Sequence, residues 1–108
     1  MRYANNVATW TTLAPNTLQV SEGAQNVGHV PTNENANMHI LSLARTICHT
    51  DPVPKYPELI CLNRPDGRIS VVEGHTRSTA YVIEVHRLPD GVDIYLGDSP
   101  SIATWKYL

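Results

Sequence analysis

Residues 72–81 read VEGHTRSTAY. Glu73, Gly74, His75, Thr76 and Arg77 set a carboxylate, a residue without Cβ, an imidazole, a hydroxyl and a guanidinium side by side, directly after the apolar run ISVV. If a strand precedes this string and a helix follows it, Gly74 permits a sharp corner and close approach of a ligand to the backbone. The amides of His75, Thr76 and Arg77 are then donors without intrahelical acceptors at the positive end of a helix dipole, which attracts anions. Arg77 adds a planar fork that fits phosphate, Thr76 a hydroxyl donor, and His75 a donor that gains charge near neutral pH. The chemistry these types and spacings suit is phosphate binding. They equally suit a surface turn in which Thr76 caps the helix and Arg77 pairs with Glu73 or Glu84, and spacing does not choose between the two.

The elements that must position this string are unevenly legible. Ala36, Ile40, Leu43, Ala44 and Ile47 recur on one helical face, Asn33 or Thr32 can cap, and Pro52 and Pro54 stop the chain, so the pattern predicts a helix over 34–50. ELICL (58–62) reads as a buried strand, Pro65-Asp66-Gly67 as a turn, and RISVVE (68–73) as the returning strand of a hairpin. The segment 76–87 suits strand by its β-branched content and helix by the spacing of Ala80 and Ile83. VDIYL (92–96) alternates, which predicts Val92, Ile94 and Leu96 facing inward and Asp93 and Tyr95 outward. Asp98 or Ser99, with Pro100, can open a last helix carrying Ile102 and Trp105. Residues 1–33 form an asparagine-rich lead-in, with strand composition at 7–13, a second short strand at 17–20 and a loop over 21–33. The order predicts one α+β domain over 1–108, a small mixed sheet with about three helices.

The segment ICLNRPDGRISVVEGHTRSTAYVI resembles the ParB/sulfiredoxin-like superfamily. There a hairpin runs into a Gly-x-x-Arg turn that opens a helix. ParB partition proteins carry GERR, sulfiredoxins GCHR, and a group of free-serine kinases DGHHR. The string Glu73-Gly74-His75-Thr76-Arg77 is most similar to the kinase form, with Glu73 in place of its Asp and Thr76 in place of its second His. The resemblance implies a helix over 76–87 and a turn that holds nucleotide phosphates, with Gly74, His75, Thr76 and Arg77 as ligand-binding residues. It departs from sulfiredoxins by having His75 where their nucleophilic cysteine stands, and from ParB by lacking the second arginine. It also directs attention to 21–33 for a further phosphate-contacting or catalytic group, with Glu22 and His29 as candidates.

Composition narrows the function classes. A formal net charge of −2 supplies no overall basic field for nucleic acid. Cys48 and Cys61 have no metal-ligand spacing and sit in apolar runs, as buried free thiols do. The five histidines show no paired metal spacing, so no metal site is expected, and Mg²⁺ enters only as the companion of nucleotide phosphates. No leader pattern or membrane-length apolar run is present, which implies a cytoplasmic protein without a membrane partner. With phenylalanine absent, Trp10, Tyr81, Tyr95 and Trp105 are the aromatics available for stacking or for the core. Three functions remain open. The first is a module that binds a nucleotide or related phosphorylated small molecule without turning it over. The second is a nucleotide-dependent phosphotransferase or NTPase with Glu73 as its base. The third is a ParB-like nuclease or DNA-binding protein, against which the charge and the absence of a following DNA-reading domain count.

Overall fold

The computed structural model describes residues 1–4, 10, 13–27 and 34–98. Its elements run β1 (Arg2–Tyr3), α1 (Val20–Asn26), α2 (Glu34–His49), β2 (Leu59–Asn63), β3 (Ile69–Glu73), α3 (His75–Ile83), a 3₁₀ turn (Val85–Arg87) and β4 (Ile94–Gly97). The four strands lie in the order β1-β3-β2-β4. β2 and β3 pair antiparallel, β1 lies parallel to β3, and β4 lies parallel to β2. Among the described residues this is an α+β fold with a mixed sheet and three α-helices, as the sequence predicts.

Local chemistry explains the central hairpin. Asp66 accepts the Arg68 amide at 3.0 Å, Gly67 takes a φ of 80°, and the Gly67 amide reaches the Arg64 carbonyl at 3.0 Å. Leu59 and Cys61 of β2 and Val71 of β3 are buried on the sheet face that meets the helices, while Ile60 is exposed. Ile40, Ala44 and Ile47 of α2 and Ala80 of α3 complete that core. Each fully buried Ile or Leu contributes about 1.5–3 kcal/mol. Past the end of α2, Arg87 donates to the carbonyls of Ile47 and Thr50 at 3.4 and 3.0 Å, which satisfies acceptors the helix leaves open.

Several expectations are corrected. In the stretch 7–13, Trp10 and Leu13 are helical, with the Ala14 amide bonded to the Trp10 carbonyl at 3.0 Å; the remaining residues lie outside the described set. Of the strand expected at 17–20, only a bridge between Gln19 and Arg2 is present. The first part of the loop expected at 21–33 is α1, because Val20 is buried in the core and Gly23 packs so closely on Tyr3 that a Cβ there would collide with its ring and hydroxyl. Packing there outweighs the low helix propensity of Val20, Ser21, Gly23 and Asn26. The helix expected over 76–87 starts at His75 and tightens to 3₁₀ after Glu84. Val92 and Leu96, expected inward, are 41% and 49% exposed, because β4 is an edge strand that the core covers incompletely. The caps expected at Thr32 or Asn33 and the helix after Asp98 lie outside the described residues.

Candidate functional site

β3 delivers the chain to the corner and α3 carries it away. Gly74, the residue between, has φ 99° and ψ 33°, a left-handed conformation that L side chains rarely adopt. Space is also lacking: a Cβ there would stand 2.5 Å from Leu59 Cδ2 and 3.0 Å from Arg77 Nη2. The Ser78 amide closes the first turn onto the Gly74 carbonyl at 2.8 Å, and no side chain caps the helix. The amides of His75, Thr76 and Arg77 are therefore the orphan donors of this helix start.

The five residues singled out by sequence part company here. Arg77 folds back over Gly74. Its Nη2 donates a long hydrogen bond of 3.4 Å to the Glu58 carbonyl, and its buried Nε has no partner. Among the described residues no carboxylate pairs with it: Glu84 faces His86 at 3.4 Å, and Glu73 is exposed at the strand end. Thr76 is half-buried and caps nothing.

His75 turns the other way, into the core. Its ring stacks on Tyr3 at 5.4 Å with 9° between planes and lies 5.0 Å from Trp10, itself stacked on Tyr3 at 4.9 Å. His75 Nε2 lies 3.3 Å from the Ala4 carbonyl, so that nitrogen carries the proton. Burial pushes the imidazole pKa down, against the smaller opposing effects of the Ala4 bond and the Glu73 charge. The carbonyl of His75 accepts from Thr79 Oγ1 at 2.8 Å and Ser78 Oγ at 3.0 Å, and Tyr3 hydrogen-bonds Thr79 in turn. Burial raises the Tyr3 phenol to about 12, against the smaller effect of the Thr79 bond. The first turn of α3 is thus held to β1, and His75 meets the corner through its main chain. Trp10 is consumed by the same stack.

Beside the corner lies a cavity of about 330 Å³ whose walls include Lys55, Tyr56, Glu58, Tyr81, Leu88 and Asp93. It adjoins Arg77 through Glu58, whose carbonyl Arg77 contacts, and Tyr81, one helical turn further on. Tyr56 and Tyr81 are 6.5 Å apart at 45°. Lys55 and Tyr56 escaped the sequence reading; a tyrosine between prolines at 54 and 57 was the available signal.

The remaining candidates sit elsewhere or outside the described residues. Burial opposes ionisation of Glu22, but hydrogen bonds from Thr17 and Asn16 outweigh it and hold the carboxyl below its usual range. Asp98 accepts from Asn63 Nδ2 at 2.9 Å. Cys61 is buried and Cys48 half-buried, both unpaired. His29, Ser99 and Trp105 are not among the described residues. Within that set no three His, Cys, Asp or Glu side chains gather into a metal site, and no helix is long and apolar enough to cross a membrane. No family model matches the chain, and neither a curated protein nor a solved structure matches it significantly.

Proposed function

We propose that this chain is a ParB/sulfiredoxin-like domain that binds a nucleotide or related phosphorylated ligand where β3 turns into α3. The observation that carries the reading is Arg77: a guanidinium lying on an uncapped helix start, its Nε buried without a partner and no carboxylate against it among the described residues. Gly74 lets the chain turn the corner with Leu59 and Arg77 packed against it, the amides of His75, Thr76 and Arg77 donate to the phosphate oxygens, and the Thr76 hydroxyl and Arg77 fork complete the cradle. The neighbouring cavity takes the remainder of the ligand against Tyr56 and Tyr81, with Lys55 at its wall. Mg²⁺ would arrive with the phosphates, with Glu73 the one carboxylate in the 73–77 string. Two unpaired thiols accord with a reducing compartment such as the cytoplasm.

Isothermal titration with ATP, ADP, CTP and a cyclic dinucleotide tests this reading. Arg77→Ala lowers affinity for the ligand bound by ~1.5–3 kcal/mol, the scale of a charge-assisted hydrogen bond. Unchanged affinity removes Arg77 from the site. Because Glu73 is exposed one residue before the corner, turnover is the second reading. A binder returns its nucleotide intact, whereas a phosphotransferase or NTPase yields a diphosphate together with a phosphorylated acceptor or inorganic phosphate.

A further inference from the structure

Half of the six arginines in the chain line one cavity, and it is not the one beside Arg77. This cavity, of about 390 Å³, opens between β1 and the β2–β3 turn, and Arg2, Thr17, Gln19, Arg64, Asp66 and Arg68 line it. It lies at the opposite end of β3 from Gly74, which is about 20 Å from Arg68 along the strand at ~3.3 Å per residue. The fold assembles it from three separate segments. Arg2 is brought in because β1 pairs with β3 at Ser70 and bridges to Gln19. Arg64 and Arg68 face the same space because the hairpin turn reverses the chain between them.

The turn is stiffened before any ligand enters. Asp66 accepts from Arg64 Nε at 3.3 Å and from the Arg68 amide at 3.0 Å, and Arg64 Nη1 reaches Ser70 Oγ at 3.4 Å. Asp66 is thereby committed to the turn. Among the described lining side chains, three guanidiniums stand against this one carboxylate. Arg2 bears the consequence: its Nε is buried without a partner, and burial and the nearby Arg64 charge both work against its ionisation, with Asp66 relieving only part. An arginine stays protonated regardless, so the arrangement is a partly exposed cluster of like charges.

We propose that this cavity is a second oxyanion site, one that takes the phosphate group of a small phosphorylated molecule. The forks of Arg2 and Arg68, which hold no side-chain hydrogen bond among the described residues, can each present parallel donors to the oxygens of a phosphate. The volume of about 390 Å³ falls in the range of small-molecule sites, which favours a compact ligand over a nucleic-acid backbone.

The test titrates the full chain with pyrophosphate, a phosphorylated pentose, citrate and a single-stranded oligonucleotide series, read by amide chemical shifts and calorimetry. Pyrophosphate and the sugar phosphate shift the amides of Arg2, Arg64 and Arg68. Arg68→Ala, at an exposed position, and Arg2→Gln each weaken that binding at least about tenfold, the scale of one lost charge-assisted contact. Arg77→Ala leaves the shifts at Arg2, Arg64 and Arg68 in place, which separates failure here from failure of the nucleotide reading. Equal binding in wild type and both arginine variants overturns the proposal, as does absence of binding at millimolar pyrophosphate. Citrate binding as tightly as the phosphates overturns the phosphate assignment. Affinity rising with oligonucleotide length would reassign the patch to nucleic acid.

Discussion

Gly74→Ala separates backbone conformation from packing at the corner on which the functional reading depends. An alanine at φ 99° incurs the left-handed penalty, ~1–2 kcal/mol. Its methyl would also stand 2.5 Å from Leu59 Cδ2, and Leu59 is fully buried at the centre of the core, so the leucine cannot swing away freely. Overpacking of this kind costs ~1–3 kcal/mol. The total is about 2–5 kcal/mol, a large share of the 5–15 kcal/mol typical of a domain. Gly67→Ala is the internal control. It carries a comparable φ of 80° but nothing lies within 4 Å of the new methyl, so only the backbone penalty applies. Urea denaturation of both variants should place Gly74→Ala below Gly67→Ala by about 1–3 kcal/mol, or roughly 0.5–2 M in midpoint for an m near 1.5 kcal/mol/M. Equal losses in the two variants would show that the Leu59 contact does not exist, and the corner would have to be rebuilt.

Other consequences follow from the same packing. Tyr3→Phe removes a buried hydroxyl bonded to Thr79 and should destabilise the fold by about 1–2 kcal/mol in chemical denaturation, Thr79→Val by more because it also strips a donor from the His75 carbonyl. His75 is held neutral by burial, so its folded pKa lies below the unfolded value of about 6.5. Between those two values the unfolded chain binds the extra proton, and stability present above pH ~6.5 is lost as pH falls toward the folded pKa. His75→Gln should flatten that stretch of the stability–pH curve, and an unchanged slope would assign the titration to another group.

The sequence made the hairpin and α2 legible because both rest on local signals. The Asp66-Gly67 turn and the recurrence of Ile40, Ala44 and Ile47 need no distant partner. The helix beginning at the corner came from resemblance, since β-branching and helical spacing compete within 76–87. β1 was invisible: two residues carry no alternation, and their partner strand is far along the chain. α1 was missed for a related reason, as VSEGAQN has no apolar stripe and is helical only against Tyr3. The same distance hid the direction of His75. Its neighbours in sequence are polar and suggest a ligand donor, but its neighbours in space are Tyr3 and Trp10. Arg77 could be named from the string. That neither Glu73 nor Glu84 pairs with it could be learned only from three dimensions.

The central claim is that phosphates bind at the start of α3. Titrating isotope-labelled protein with the nucleotide that binds tightest in calorimetry, and following the backbone amides, tests it most directly. The account expects the largest shifts at His75, Thr76 and Arg77, with Tyr56 and Tyr81 following, and all of them needing roughly ten- to hundredfold more nucleotide in Arg77→Ala. Saturable nucleotide binding that leaves those three amides unmoved would contradict it.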